Sequence, residues 1–443
     1  MPKELDIPGL VKRLAEIEKQ GTLNADDADR SENLHRLFMY PAMMVPAAQT
    51  AVIEAVAEVL PDRINAIDPF MGSGTSLMSC MERGYNVFGQ DINPFAVLLS
   101  KAKVTFYDIE GLRNSLKCLK ETIEIDKGSS VDISFTNIDK WFKQSVQIDF
   151  SKLRRAIISE KNIDYRRFYW VIFSEVVRIG SNDRTSTFKL HKRCDEDIAK
   201  RKIDVINEFY QLASRGIEDL ENYKNKLIEE GHLCNNQYSG SAEIAWGNTQ
   251  IKIETEKSFD LLVSSPPYGD NMTTVTYGQT CYLPLQWIDP LDIECPFEYL
   301  KTTQEIDRQS LGGHVNGKEL DNKMSILFGK SASLLNFYNS IPKEERPKYN
   351  KTISFMYDFD ESLDNIIAVM NSDAFYIWTI GNRFVGGREV PNSNVLTDLM
   401  NSHGIKLLFK AERQILNKKQ AKKNSQSRTM EKEHILIFHK EDT

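Results

Sequence analysis

Cysteine is scarce and never closely paired. The 443 residues hold six (Cys80, Cys118, Cys194, Cys234, Cys281, Cys295), and none forms a CxxC. That argues against a zinc site and a disulfide framework, and for a reducing compartment. No run of about 18 apolar residues occurs, so no membrane span is predicted. The N-terminal stretch MPKELDIPGLVKRLAEIEKQG is charged and helix-like, with no apolar stretch to suggest secretion. Positive charge is in deficit as well. A net charge of -7 excludes a histone-like polycation, so any nucleic acid must be met by a local basic patch. The seven histidines show no metal-ligand spacing, and no metal is expected. What the chain does have is apolar and aromatic bulk. Hydrophobic residues make up 41%, with 22 Phe, 16 Tyr and 5 Trp, enough to pack a substantial core and to exclude wholesale disorder. The default expectation is a cytoplasmic protein.

The patterning predicts an amphipathic helix and polar loop over residues 1–30, then a second helix from about Val45 to Leu60. INAIDPF fits a buried strand running into a turn, and GSGTSLMSCMERG a tight turn and short helix closed by Gly84. YNVFGQDIN is another strand and PFAVLLSKAKV another helix, which makes a βαβ unit and predicts a parallel sheet. Residues 109–240 read as a mainly helical insertion. Strand patterns resume at AEIAWGN and SFDLLVSSPPYGD, an irregular stretch covers 289–350, and TISFMYDF, AFYIWTIGN and HILIFHK supply three further strand candidates. The expected fold is an α/β doubly wound, mostly parallel sheet with a helical insertion. Its first half would span 35–108 after an N-terminal helical segment at 1–34, its second half 241–288, and its closing strands 351–443.

Two turns carry the chemistry. Asp68-Pro69-Phe70-Met71-Gly72-Ser73-Gly74-Thr75 leaves a strand and opens a helix. Two glycines one residue apart let backbone approach a ligand without a Cβ clash, and a helix N-terminus points N–H groups at it. Asp68 beside the turn can hold a cationic amine. No third glycine completes GxGxxG and no GK[ST] follows, which weakens the NAD and ATP readings. Asp91 ends the next strand, where an acid captures ribose hydroxyls in a doubly wound fold. Each feature alone also reads as a plain turn or a helix cap; together in one βαβ unit they favour a ligand site. The second turn is Ser264-Ser265-Pro266-Pro267-Tyr268, directly after the strand LLV. Consecutive prolines fix φ, remove two N–H donors and free the preceding carbonyls. A hydroxyl, a free carbonyl and an aromatic ring together can grip an exocyclic amino group while stacking on the ring that bears it. A Pro-Pro strand terminator with a packed tyrosine is the plainer alternative.

DPFMGSGT, GQDINPFA and SSPPYGD in this order resemble the S-adenosylmethionine-dependent amino-methyltransferases that act on DNA. The resemblance covers about 35–108 and 240–288, with a weaker echo at 370–440. The Ser-Pro-Pro-Tyr form is similar to cytosine-N4 enzymes; adenine-N6 enzymes more often carry Asp first. The resemblance implies Asp68, Gly72, Gly74 and Thr75 around the donor's methionine, Pro69 and Phe70 among the donor-binding residues, and Asp91 on its ribose. Ile92 and Asn93 would lie beside its adenine. It implies that HRLFMYPAMMVP, residues 35–46 and including Tyr40, closes over the donor. Asn248 stands where the family usually has an acid near the adenine amino group; an amide can still bond that edge. Ser265, Pro266, Pro267 and Tyr268 would be catalytic. The implied partner is double-stranded DNA with the target base flipped out, and a restriction–modification or genome-marking role would add a cognate restriction endonuclease. No cysteine follows a proline, which excludes the carbon-5 cytosine class. Adenine-N6 transfer, RNA guanine-N2 transfer and a non-catalytic donor-binding DNA-recognition module remain alternatives.

Between 151 and 205 stand 14 Lys and Arg against 8 Asp and Glu, interleaved with Ser, Thr, Asn and aromatics. Such a stretch can serve phosphate and base contacts, and Arg184, Lys189, Lys192 and Arg193 are the candidates. A solvated helix face is the competing reading. Arg383 and Arg388, around a Gly-Gly turn, are candidates for the base pocket or the groove. A second basic stretch runs from Lys418 to Arg428.

Overall fold

The computed structural model describes residues 5–24, 32–186, 189–415 and 430–441. Seven strands form one sheet: β1 (Asn65–Asp68), β2 (Asn86–Asp91), β3 (Ala242–Trp246), β4 (Phe259–Ser264), β5 (Met370–Ile380), β6 (Ile405–Gln414) and β7 (Lys432–Lys440). Their order is β6-β7-β5-β4-β1-β2-β3. All neighbours run parallel except β7, which is antiparallel to both β5 and β6. The chain winds outward from β1 through β2 to β3 and then returns to β4 on the other side of β1. Connections therefore leave the β1/β4 pair in opposite directions, and a crevice opens at the carboxyl ends of those strands. This is a Rossmann-like α/β fold.

The inner strands are apolar on both faces because helices cover both. Alternation along each strand assigns the faces. Ala66, Leu261 and Val263 join the cluster that also holds Val52, Met78 and Leu99 from helices Pro46–Ala57, Thr75–Met81 and Pro94–Val104. Ile67 and Leu262 point the other way, to Phe359, Leu363 and Leu399 of helices Asn350–Ile367 and Asn392–Ser402.

TISFMYDF, expected as a strand, lies inside the helix Asn350–Ile367. Its apolar run looks extended over eight residues, but Ile353, Met356, Phe359, Leu363 and Ile366 are buried at helical spacing once the flanks are included. The strand that the sequence pattern does not announce is β6. It lies at the sheet edge, and its mixture of charged and half-buried residues hides the period of two.

Between β2 and β3 the helices Ile109–Ile125, Gln144–Ser159, Ile163–Gly180 and Val205–Glu229 bury a core continuous with the sheet face that carries Ala66, Leu261 and Val263. Phe142, Phe150, Phe173 and Trp287 meet edge to face there, with Phe150 and Trp287 centroids 5.1 Å apart. Phe168, Tyr169, Trp170 and Phe173 are fully buried. The aromatics expected to interleave with basic residues at a nucleic-acid surface are therefore core, because the central turns of their helix are enclosed by neighbours.

Candidate active site

The turn after β1 is shaped by backbone. Gly72 and Gly74 have φ of +48° and +74°, and a Cβ at Gly74 would come 2.9 Å from Ser100 Oγ. Only glycine meets both conditions without strain. The turn's carbonyls are held from the helix Pro94–Val104: Ser100 Oγ donates to Gly72 O at 3.3 Å, and the buried Lys103 Nζ to Ser73 O at 2.8 Å. Burial lowers the Lys103 pKa to about 7. On the N-terminal side, Thr75 Oγ1 lies 3.4 Å from His35 Nε2. Burial first, and the Lys103 charge second, push that imidazole down to about 2, so it is neutral.

Asp91 spans the mouth of the turn. Its Oδ2 accepts from Gly72 N and its Oδ1 from Asn93 N, both at 2.8 Å. Burial pushes its pKa up to about 6 despite these bonds. Asn93 caps the next helix by accepting from Phe95 N at 3.0 Å, while its Nδ2 donates to Tyr40 Oη at 3.1 Å. Beyond β3, Asn248 Oδ1 accepts from Gln250 N, and Thr249 Oγ1 donates to Pro69 O at 2.7 Å.

These elements line a partly open cleft at the crevice. Of the expected donor residues, Tyr40, Pro69, Phe70, Gly72, Thr75, Asp91, Ile92, Asn93 and Asn248 line it. The segment 35–46 forms part of its wall through Tyr40, Ala42, Met43 and Met44. Asp68 and Gly74 stand behind that wall. Asp68 is fully buried: Oδ1 accepts from Ser264 Oγ at 2.6 Å and Phe70 N at 3.0 Å, and Oδ2 from Ser76 Oγ. Ser264 ties it to β4 and Phe70 and Ser76 hold it within its own turn, so the side chain is sealed away from the cleft. Burial raises its pKa to about 6.

The turn after β4 supplies Ser265 and Pro267 to the lining of the same cleft; Pro266 is buried, and Tyr268 is half-buried against the core cluster of Phe359 and Trp378 rather than in that lining. Ser265 Oγ is 3.2 Å from Tyr268 Oη, which in turn donates to Glu433 Oε1 at 3.0 Å. Glu433 Oε2 accepts from Arg413 Nε at 2.7 Å. Asn392 Nδ2 donates to Tyr268 O at 2.8 Å. The tyrosine is thus fixed from both ends by residues more than 100 positions away. Burial is the main reason its hydroxyl is held protonated, well above the ordinary tyrosine range, with the Glu433 charge adding to it.

Asn271, Tyr277, Ile306, Ser310 and Leu311, none of them expected from the sequence, also line the cleft. Asn271 lies just past the Ser-Pro-Pro-Tyr turn, the nearest of the five to a motif. The last three come from the irregular 289–350 stretch, which carries no motif. The basic candidates are dispersed. Arg193 donates to the carbonyls of Asp183 and Arg184, closing its own loop, and Lys192 pairs with Asp195 at 2.6 Å. Arg184 and Lys189 are exposed. Leu190 N donates to Gln279 Oε1 at 3.0 Å, which ties this loop to the cleft-lining helix Tyr277–Trp287. Arg383 is nearly buried against Asp270 (3.3 Å) and Thr273 Oγ1 (2.8 Å), and Arg388 faces Glu345 at 3.6 Å. Lys418–Arg428 lies outside the described residues. Among the described residues no helix is long and apolar enough to cross a membrane.

A cleft at the switch point of a doubly wound sheet, with a glycine turn, a carboxylate at the end of β2 and a Ser-Pro-Pro-Tyr turn on its rim, has the layout of a nucleotide-binding site. Comparison with known proteins assigns the family. The chain is 30% identical over 441 residues to the type II methyltransferase M.MvaI of Kocuria varians, covering 93% of this chain and 92% of that one. It is 32% identical over 142 residues to the type II methyltransferase M.MjaII of Methanocaldococcus jannaschii, covering 31% and 26%. A model of the D12 class N6 adenine-specific DNA methyltransferases matches residues 50–237. Among solved structures, two of the rRNA methyltransferase AviRa from Streptomyces viridochromogenes align at 11% identity, with TM-scores of 0.31 and 0.33 and coverage of 90% and 94% of this chain and 86% and 94% of those. The chain belongs to the S-adenosylmethionine-dependent DNA amino-methyltransferases. S-adenosylmethionine is its methyl donor, and the cleft fits that group: Asp91 offers a carboxylate, Asn248 an amide, and Asn271 Oδ1 is a buried acceptor with no protein partner.

Proposed function

We propose that this enzyme methylates the exocyclic N4 amino group of cytosine in duplex DNA, with the base flipped out of the helix. The observation that carries this reading is the Ser265 hydroxyl. It opens the Pro-Pro-Tyr turn, lines the donor cleft and lies 3.2 Å from the Tyr268 hydroxyl. In the family resemblance a serine at this position goes with cytosine.

S-adenosylmethionine supplies an electrophilic methyl group, and the protein's own part is to make a poor nucleophile competent. The lone pair of a cytosine amino group is delocalised into the ring. In this reading Ser265 Oγ and a main-chain carbonyl freed by the prolines accept its two N–H bonds. That holds the nitrogen pyramidal and localises the lone pair. Tyr268 presents its ring to the base, and the Glu433–Arg413 pair fixes its tilt. Gly72, Thr75, Asp91 and Asn93 would hold the donor across the cleft from Ser265, and that positioning would supply much of the acceleration.

Adenine-N6 transfer is the second reading, favoured by the family model. That match ends at residue 237, before the turn that would meet the base. The DNA contacts in this account come from Arg184, Lys189 and Lys192 beside the cleft-lining helix, with Arg193 shaping their loop. Arg383 shapes the base-side loop through Asp270, and Arg388 stands at its rim. A restriction–modification role, with a cognate endonuclease, fits the type II relatives. The test is tritiated-methyl transfer to unmethylated duplex DNA, followed by digestion to nucleosides. Label comigrating with N4-methylcytosine is the expected result; label in N6-methyladenine overturns the choice of base.

A further inference from the structure

The residue that the motif offered for a cationic amine, Asp68, is sealed from the cleft, and both its carboxylate oxygens are bonded within the protein. The donor's amino-acid end therefore needs another acceptor. Among the described residues lining the cleft, Asn271 Oδ1 is the buried side-chain oxygen that has no hydrogen-bond partner. Asn271 is 4% exposed. A buried amide oxygen left unpaired costs free energy that a bound donor group recovers.

Its position is fixed by its neighbour. Asp270 is fully buried and accepts from Thr273 N at 3.1 Å and Thr273 Oγ1 at 2.5 Å, and it faces Arg383 at 3.3 Å and Lys351 at 3.6 Å. The loop that carries Asn271 is clamped before any ligand arrives, so little ordering is needed on binding. The same loop carries Ser265 and Pro267, so Asn271 belongs to the methyl-transfer end of the cleft. The adenine end is marked instead by Ile92, Gly247 and Asn248.

We propose that Asn271 is the side-chain acceptor for the α-ammonium group of S-adenosylmethionine, a donor-binding role separate from the Ser-Pro-Pro-Tyr chemistry. The inference rests on the placement of the donor in this cleft, and not on which base is methylated.

The test is calorimetric titration of the full-length protein with two ligands. One is S-adenosylhomocysteine, and the other is the same thioether with hydrogen in place of the α-amino group. The unmodified protein binds the amino compound more tightly. Asn271→Ala weakens it about tenfold, the scale of one hydrogen bond to a charged group, and leaves the deamino compound unchanged. Asn271→Asp, which keeps the acceptor and adds charge, binds the amino compound at least as tightly as the unmodified protein. Equal weakening of both ligands by Asn271→Ala, or no preference for the amino compound in the unmodified protein, overturns the assignment. Failure of the unmodified protein to bind either ligand would instead contradict the donor site itself.

Discussion

The turn after β1 and the turn after β4 leave neighbouring parallel strands, with Ala66 opposite Leu261, and open into one cleft. They are built differently. The first is shaped by backbone at two positive-φ glycines, and most of its supports, Asp91, Ser100 and Lys103, lie within about 35 residues, with Thr249 adding a bond to Pro69 O from beyond β3. The second has two prolines in place of N–H donors and is held by side chains from the far end of the chain, Asn392, Arg413 and Glu433. One bond, Ser264 to Asp68, couples them. The glycine turn is thus mostly a local device, whereas the Ser-Pro-Pro-Tyr turn takes its side-chain supports from the C-terminal strands and helix.

If that division is right, damage to the second turn should stop transfer and spare donor binding. Ser265→Ala with Tyr268→Ala is expected to lower methyl transfer about a thousandfold, while the S-adenosylhomocysteine dissociation constant stays within about twofold. A parallel loss of affinity would break the comparison. The coupling bond is the next target. Asp68→Ala strands the donors of Ser264, Ser76 and Phe70 in the interior and is expected to cost about 3 kcal/mol, read as a lowered urea midpoint at unchanged slope. A midpoint shift within error would mean that the two turns stand independently.

The donor half should also answer to pH. Burial raises Asp91 from 3.8 to about 6, so its carboxylate is ionised above that value and protonated below it. Ribose hydroxyls donate best to the ionised form. Donor affinity should therefore be full near pH 7 and fall about tenfold by pH 5, one pKa unit below the midpoint. Asp68 titrates in the same range, and Asp91→Asn decides between them: a flattened profile assigns the effect to Asp91. The smallest effect belongs to the support of the second turn. Glu433→Gln keeps a partner for the Tyr268 hydroxyl but loses the Arg413 ion pair, and should lower kcat about fivefold with donor affinity unchanged. An equal change in donor affinity would show that the two supports are not separable.

The same contrast explains what could be read from the sequence. Gly72, Asp91, Asn93 and Ser265 were legible because each sits at a strand end inside a contiguous motif, and strand ends meet at the switch point of this fold. Ile306, Ser310 and Leu311 reach the cleft across the fold from a stretch without periodicity or motif, and Glu433 and Arg413 look like ordinary alternation in closing strands. Asp68 was misplaced for a different reason. Its residue type announced a charge at the ligand, but one position back along β1 turns its side chain to Ser264 and Ser76 and seals it. In the insertion, Phe168 to Phe173 carried both an aromatic and a helical signal, and burial decided for the core.

Nucleoside mass spectrometry of DNA from cells expressing the protein, beside cells expressing the Ser265→Ala, Tyr268→Ala form, tests the central claim most directly. N4-methylcytosine present with the unmodified turn and absent with the altered one is the predicted result. N6-methyladenine in its place, or the same N4-methylcytosine level in both cultures, would contradict it.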